Sequence, residues 1–144
     1  MNKTIIFYNF YNELISRTKA NSIMWKPLST YSTNTNLEDL FQCANDMPDF
    51  GTNSIKFPAS YYIDNDSVGT LFLIEVYHPT TDPFSGFLFL ISLDKHKRRP
   101  INLSSYYNVK QEDLVALRIV IENNIGAMQI DPNEISYFIN HFFS

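Results

Sequence analysis

Residues 13–28, ELISRTKANSIMWKPL, contain the end of an amphipathic helix, a polar turn and a short extended segment that carries Trp25, the only tryptophan. Apolar residues recur at helical spacing upstream, which predicts a first helix from about Lys3 to Lys19. Asn21 suits the left-handed conformation common at helix ends, and Pro27 prevents the helix from continuing. The core contacts of this stretch are expected to come from Leu14, Ile15, Ile23 and Trp25.

The composition predicts one globular domain, residues 1–144. The chain has 44% hydrophobic and 18% charged residues, and its net charge of −4 implies no particular partner. No apolar run reaches the 18 residues that a membrane span needs, and polar residues interrupt any signal-peptide core near the N-terminus. We therefore expect a cytoplasmic protein of a bacterial host cell with no membrane partner. Cys43 is the only cysteine, which excludes an internal disulfide and a thiolate metal cluster.

The middle of the chain reads as an antiparallel meander. The predicted strands are Ile55–Ile63, Thr70–His78, Gly86–Asp94 and Pro100–Ser104. Pro58 indicates that the first strand is an edge strand or is interrupted. The apolar runs 71–74 and 87–91 are typical of strands that are covered on both faces or belong to an oligomer interface.

Helices are predicted on both sides of this meander. A capping box at residues 35–38 predicts a short helix over 36–45. Near the C-terminus, one helix is expected with Asn108 as its cap and Gly126 as its end. A second opens at Asp131-Pro132, a cap followed by a proline at the first helical position. The predicted fold is α+β, a four- or five-stranded antiparallel sheet packed by N- and C-terminal helices.

The last helix carries an apolar stripe. The stripe residues are Ile135, Phe138, Ile139 and Phe142. Together with the apolar strands, this stripe predicts a homo-oligomer.

The order of these elements resembles a family. The pattern is a helix ending Leu-Ile-x-x-Thr, a turn, an Ile-x-Trp-x-x-Leu strand, a β-meander and two C-terminal helices. Its residues here are Leu14, Ile15, Thr18, Ile23, Trp25 and Leu28. It is similar to a family of small uncharacterised proteins from low-GC bacteria, their phages and mobile elements. The resemblance implies an α+β fold and no particular reaction. Against the family's pattern, residues 29–54, which include the predicted helix 36–45, look like an insertion.

The densest charge in the sequence is the run Lys95-His96-Lys97-Arg98-Arg99. Four of the eleven basic residues fall in these five positions, which leaves seven against fifteen acidic residues elsewhere. Such a cluster suits phosphate or carboxylate, although a solvated turn that protects strand edges explains it as well. Duplex nucleic acid is not expected as a partner, because the rest of the chain is acidic. The candidate ligand-binding residues are Lys95, Lys97, Arg98 and Arg99, with the ring pairs Tyr61, Tyr62 and Tyr106, Tyr107.

The motifs that could indicate catalysis or metal binding are less specific than the basic run. His78-Pro79-Thr80 is half of a phosphoesterase signature that needs two histidines, one as base and one as acid. Residues 64–69 with Glu75 match several positions of a calcium loop, but a hairpin turn rich in Asp, Asn and Gly explains them equally well. Cys43 reads as a small buried hydrophobe. No catalytic residue, metal or cofactor is therefore expected.

The sequence favours a non-catalytic small binding protein of phage or mobile-element type. In its sharper form, it sequesters a nucleotide-like signalling ligand in an anti-defence, immune-evasion role. The alternative is a protein-binding inhibitor or immunity protein that engages a host protein. A phosphoesterase-like enzyme that uses His78 is the third hypothesis.

Overall fold

A computed structural model describes residues 3–30, 40, 54–65, 67–78, 82–93, 100–129 and 131–143. Within these residues the helices are α1 (Lys3–Lys19), α2 (Leu103–Tyr106), α3 (Gln111–Gln129) and α4 (Pro132–His141). The strands are β1 (Lys26–Pro27), β2 (Ser54–Ile55), β3 (Tyr61–Asn65), β4 (Gly69–His78), β5 (Asp82–Ser92) and β6 (Ile101–Asn102). Short 3-10 turns lie at Leu28–Thr30 and Phe57–Ala59.

The strands form one antiparallel sheet in the order β1-β3-β4-β5-β6, and β2 pairs with β4 off this path. The long β4–β5 hairpin is its centre, with register from Thr70↔Ser92 to Val76↔Gly86 and an irregularity before His78↔Asp82. The predicted α+β class, with an antiparallel sheet packed by N-terminal and C-terminal helices, is confirmed.

Both faces of the central hairpin are covered, which explains its uninterrupted apolar runs. One core cluster lies between the sheet and helices α1 and α3. Its buried members are Phe7, Tyr11, Leu14, Trp25, Tyr61, Leu73, Phe87, Phe89, Leu114, Leu117 and Ile121. The cluster on the opposite face consists of Leu28, Leu40, Ile55, Tyr62, Phe72, Ile74, Val76, Leu88 and Leu90.

The first helix occupies its predicted range, and the turn after it has the expected geometry, with Asn21 at φ 60°. Trp25 is 2% exposed. Its indole Nε1 donates to Thr18 Oγ1 at 3.0 Å, and that hydroxyl donates to the Leu14 carbonyl at 2.7 Å. These two hydrogen bonds, through Leu14, Thr18 and Trp25, therefore join the end of α1 to the segment that enters the sheet.

Strand boundaries differ from the prediction in three places. The first predicted strand is split into β2 and β3 by a 3-10 turn that contains Pro58, a residue without a backbone donor. Strand β5 begins at Asp82, four residues before Gly86, because β4 and β5 continue to pair beyond the irregularity. The last strand stops at Asn102, whose side chain accepts a hydrogen bond from the Ser105 amide and starts α2.

Two helix ends were also predicted incorrectly. Asn108 has φ 51° and lies three residues before α3, so it is not the cap of that helix. Helix α3 continues through Gly126 to Gln129, because a helical glycine at an exposed position does not by itself end a helix. The Asp131 cap is confirmed, since its carboxylate accepts from the Asn133 amide at 2.9 Å. Of the predicted helix 36–45, only Leu40 lies among the described residues, where it is helical and buried.

Candidate functional site

Two of the predicted ligand-binding tyrosines lie in the core. Tyr61 and Tyr62 are 7% and 5% exposed, and they point to opposite faces of β3. The Tyr61 hydroxyl donates to Glu122 Oε1 at 3.2 Å, while the Tyr62 ring packs near Phe72. Neither ring offers a face on which a base could stack, and they cannot act as a pair. Both residues therefore drop out of the candidate ligand site.

The second tyrosine pair is different. Tyr106 is 57% exposed, and its ring lies edge-on to Tyr107 at a centroid distance of 4.9 Å. Tyr107 is partly buried because its ring packs against Phe7 at 5.3 Å. Tyr106 is therefore an accessible ring on a fixed support.

The remaining predicted site residues lie outside the described part of the chain. Lys95, Lys97, Arg98 and Arg99 fall between Leu93 and Pro100, so their role in anion binding stays a prediction. Cys43 and the side chain of His78 are outside it as well, and the phosphoesterase hypothesis stays a prediction.

The calcium-like segment is used as a hairpin turn in the described residues. Asn65 Oδ1 accepts from the Ser67 amide at 3.0 Å, and Asp64 Oδ1 accepts from Thr70 Oγ1 at 2.8 Å. These contacts close the turn between β3 and β4. Across the described ranges, no group of three or more His, Cys, Asp or Glu side chains is placed to hold a metal ion.

A charged cluster that the sequence did not predict joins α3 to the sheet. Glu75 is buried on the helix-covered face and lies 3.7 Å from Arg118 Nη1 and 3.5 Å from Lys56 Nζ. Arg118 Nη1 also lies 3.4 Å from Glu122 Oε1, and its guanidinium is 5.4 Å from the centre of the Phe87 ring. The sequence does contain an indication of this cluster. Glu75 interrupts an apolar strand, and a buried carboxylate needs a partner. The cluster balances two acids against two bases, which suits a structural junction.

Two tyrosines beside acidic groups hold their protons unusually strongly. Burial, together with the Glu122 carboxylate, raises the pKa of Tyr61 to about 12. A hydrogen bond of 2.5 Å to Asp113 Oδ2, with burial, raises the pKa of Tyr8 to about 12. Both contacts tie α3 to its neighbours, since Tyr8 lies on α1 and Tyr61 on β3.

These pKa shifts predict alkaline destabilisation. In the unfolded chain both phenols ionise near pH 10, whereas the folded chain retains these protons to about 12. Stability from these groups is therefore complete below about pH 10 and is lost as the pH rises toward 12. We expect the urea midpoint to fall across this window, and to fall less steeply in Tyr61→Phe. An equal pH dependence in the variant and the wild type would contradict this assignment.

An apolar cleft opens beside α1, on the same sheet face. It has a volume of about 380 Å³ and lies over the cross-strand row Ile63↔Leu71↔Ile91. Its lining residues are Phe10, Leu14, Ile23, Ile63, Asn65, Val68, Gly69, Thr70, Leu71, Ile91, Ser92 and Leu93. We call it the α1 cleft. Its size is in the range of sites that bind small molecules or side chains.

Backbone contact closes the turn end of the α1 cleft. Gly69 has φ +146°, and a Cβ built there would lie 2.0 Å from the Ser92 carbonyl oxygen. Only glycine fits this approach. The β3–β4 turn is thereby held against the end of β5.

Helix α4 carries a row of exposed apolar side chains. Every residue from 131 to 143 is exposed. The four stripe residues Ile135, Phe138, Ile139 and Phe142 are 47%, 62%, 66% and 62% exposed, and Phe143 beyond them is 96% exposed. We call the four the α4 stripe. Exposed apolar patches of this kind mark interaction surfaces on soluble proteins.

Comparison with family models, with curated proteins and with solved structures gave no match. The family resemblance of the N-terminal pattern therefore stays a prediction. In the described part of the chain, no helix has the length and apolar character required to cross a bilayer.

Proposed function

We propose that this is a non-catalytic binding protein that engages another protein through the α4 stripe, as an inhibitor or immunity protein does. The observation that carries the proposal is a well-capped helix whose apolar face is exposed in the described structure. The anchors Ile135, Phe138 and Phe142 follow the i, i+3, i+7 spacing with which amphipathic helices dock into apolar grooves.

The α4 stripe supplies part of the affinity. Its four residues are 47–66% exposed, and full burial of a Phe or Ile side chain contributes about 1.5–3 kcal/mol, so covering what is still exposed contributes roughly 4–7 kcal/mol before the costs of association. Micromolar binding needs about 8 kcal/mol, so contacts around the stripe must supply the rest. The rings of Phe138 and Phe142 lie 5.2 Å apart, and Phe142 and Phe143 lie 4.9 Å apart, so the aromatic anchors form one continuous surface.

The test compares two variants that place the same charge on α4. Phe138→Asp lies in the α4 stripe, whereas Asn140→Asp lies on the opposite side of the same exposed helix. Used as baits in extracts of the source cells, the wild type and Asn140→Asp should capture the same partner, and Phe138→Asp should lose it at least 10-fold. Equal capture by all three baits would contradict binding through the stripe.

A second candidate function is capture of a nucleotide-like ligand, which would suit an anti-defence role. The exposed Tyr106 ring supports it, because a base stacked on an aromatic ring gains about 1–3 kcal/mol. The buried tyrosines do not contribute, so the rest of the affinity would have to come from Lys95, Lys97, Arg98 and Arg99.

Thermal melts test this second candidate. A ligand at 100 times its Kd stabilises the fold by about 2.7 kcal/mol. We expect a melting shift with a nucleotide or cyclic nucleotide that is lost in Tyr106→Ala and in Arg98→Ala with Arg99→Ala. The exposed Tyr137, replaced by Ala, is the matched control. No shift with any nucleotide would contradict the proposal.

A further inference from the structure

The chain has two complementary apolar surfaces that do not meet. The α4 stripe is convex and exposed, and the α1 cleft is concave and apolar. The strand row under the cleft spans two strand spacings, about 10 Å. The stripe from Ile135 to Phe142 extends about 10 Å along its helix. The two surfaces therefore agree in size and chemistry.

Helix α3 occupies only one flank of α1. Tyr8 donates to Asp113 near the start of α3, and Asn124 donates to the Thr18 carbonyl at 2.8 Å near its end, so the two helices run parallel. Successive helix residues are about 100° apart. Phe10, which lines the α1 cleft, therefore lies about 200° around the helix from Tyr8. The cleft is on the flank of α1 away from α3.

This arrangement disfavours docking of α4 in the cleft of its own chain. Packed helices are 8–10 Å apart, so a helix in the cleft would lie roughly 16–20 Å from α3, with α1 between them. Residues 130 and 131 alone join α3 to α4. The Cα atoms of a helix lie about 2.3 Å from its axis, so the connection would have to span roughly 11–15 Å. The three Cα steps from Gln129 to Pro132 span at most about 11 Å, and only when fully extended.

We propose that the α1 cleft receives α4 from a second copy of this chain, and that two copies exchange these helices reciprocally. The received helix would lie over Ile63, Leu71 and Ile91, beside α1, as a third helix on that face of the sheet. Each copy gives one helix and one cleft, so a two-fold axis closes the assembly as a dimer. The short connection disfavours docking within one chain and so favours docking on a neighbour.

The exchange does not depend on the proposed protein partner. If both occur, they compete, because the dimer covers the same stripe that the partner would bind. The dimer would then shield the stripe until a partner displaces it. A Phe138→Asp variant that loses partner capture but stays dimeric would overturn the exchange alone, and one that becomes monomeric but captures the partner as the wild type does would overturn the proposed function alone.

The test is sedimentation of the full chain and two variants at 100 μM. Phe138→Asp alters the stripe, and Phe10→Asp alters the cleft at a side chain that is 43% exposed in the single chain. We expect the wild type to sediment at twice the 16.8 kDa of one chain. Each variant should raise the dimer Kd at least 100-fold. The controls Asn140→Asp and Asn12→Asp, exposed on other sides of the same helices, should remain dimeric.

An equimolar mixture of the two variants distinguishes exchange from other modes of dimerisation. The Phe10→Asp chain retains a good stripe and the Phe138→Asp chain retains a good cleft, so the mixture should form a dimer that neither variant forms alone. A monomeric wild type, a dimeric Phe10→Asp variant, or a mixture that stays monomeric would each overturn the proposal. Circular dichroism of each variant confirms that it is folded.

Discussion

Replacing Trp25 by Ala is expected to lower the free energy of unfolding by about 3–5 kcal/mol, the range for large aromatic residues in a core. Trp25 is 2% exposed in the cluster between the sheet and α1. The truncation removes this packing together with the hydrogen bond from the indole to Thr18 Oγ1. Urea unfolding followed by far-UV circular dichroism measures the change.

Two further substitutions separate packing from hydrogen bonding at this position. Trp25→Phe retains much of the apolar volume but not the donor, and we expect an intermediate loss. Thr18→Val removes the acceptor and leaves the buried indole donor without its partner, which costs about 1–3 kcal/mol. A Trp25→Ala loss below 1 kcal/mol would contradict the placement of this residue in the core.

Replacing Arg118 by Met is expected to destabilise the fold by about 3 kcal/mol, because it leaves a charged Glu75 buried with only Lys56 beside it. Removing one partner of a buried ion pair costs about 3–5 kcal/mol. The low end applies here because Lys56 remains 3.5 Å from Glu75. The same urea unfolding measures the loss.

The exposed pair Arg17–Glu13 is the matched control. Its atoms are 2.6 Å apart, closer than those of the buried pair, yet both side chains are more than half exposed. Arg17→Met should therefore cost no more than about 1 kcal/mol. Adding Glu75→Met to Arg118→Met should recover most of the loss, since an apolar replacement of both partners is often neutral. Failure of this double variant to recover would show that Glu75 is not the cause.

Local signals in the sequence predicted the elements whose structure is determined locally. The apolar spacing of residues 3–19 gave the extent of α1, and Asp131-Pro132 gave the start of α4, because caps and periodicity act within a few residues. The end of α3 was predicted incorrectly because one glycine at an exposed helical position is not enough to end a helix.

The candidate sites depend on contacts between distant parts of the chain. The α1 cleft forms where α1, the β3–β4 turn and the end of β5 come together. No local pattern in the sequence predicts that these three segments are neighbours. The Glu75–Arg118 contact likewise joins residues on β4 and α3. The use of Tyr61 and Tyr62 as one stacking platform could have been rejected from the sequence, because neighbouring strand residues point to opposite faces.

We propose that the α4 stripe is a docking surface that lies outside the core of the single chain. Urea unfolding of Phe138→Asp at concentrations where the protein is monomeric tests it most directly. The structure predicts a change within about 0.5 kcal/mol of wild type, as for a surface substitution, and the same for Asn140→Asp. A loss of 3–5 kcal/mol for Phe138→Asp alone, the cost typical of a core phenylalanine, would contradict it.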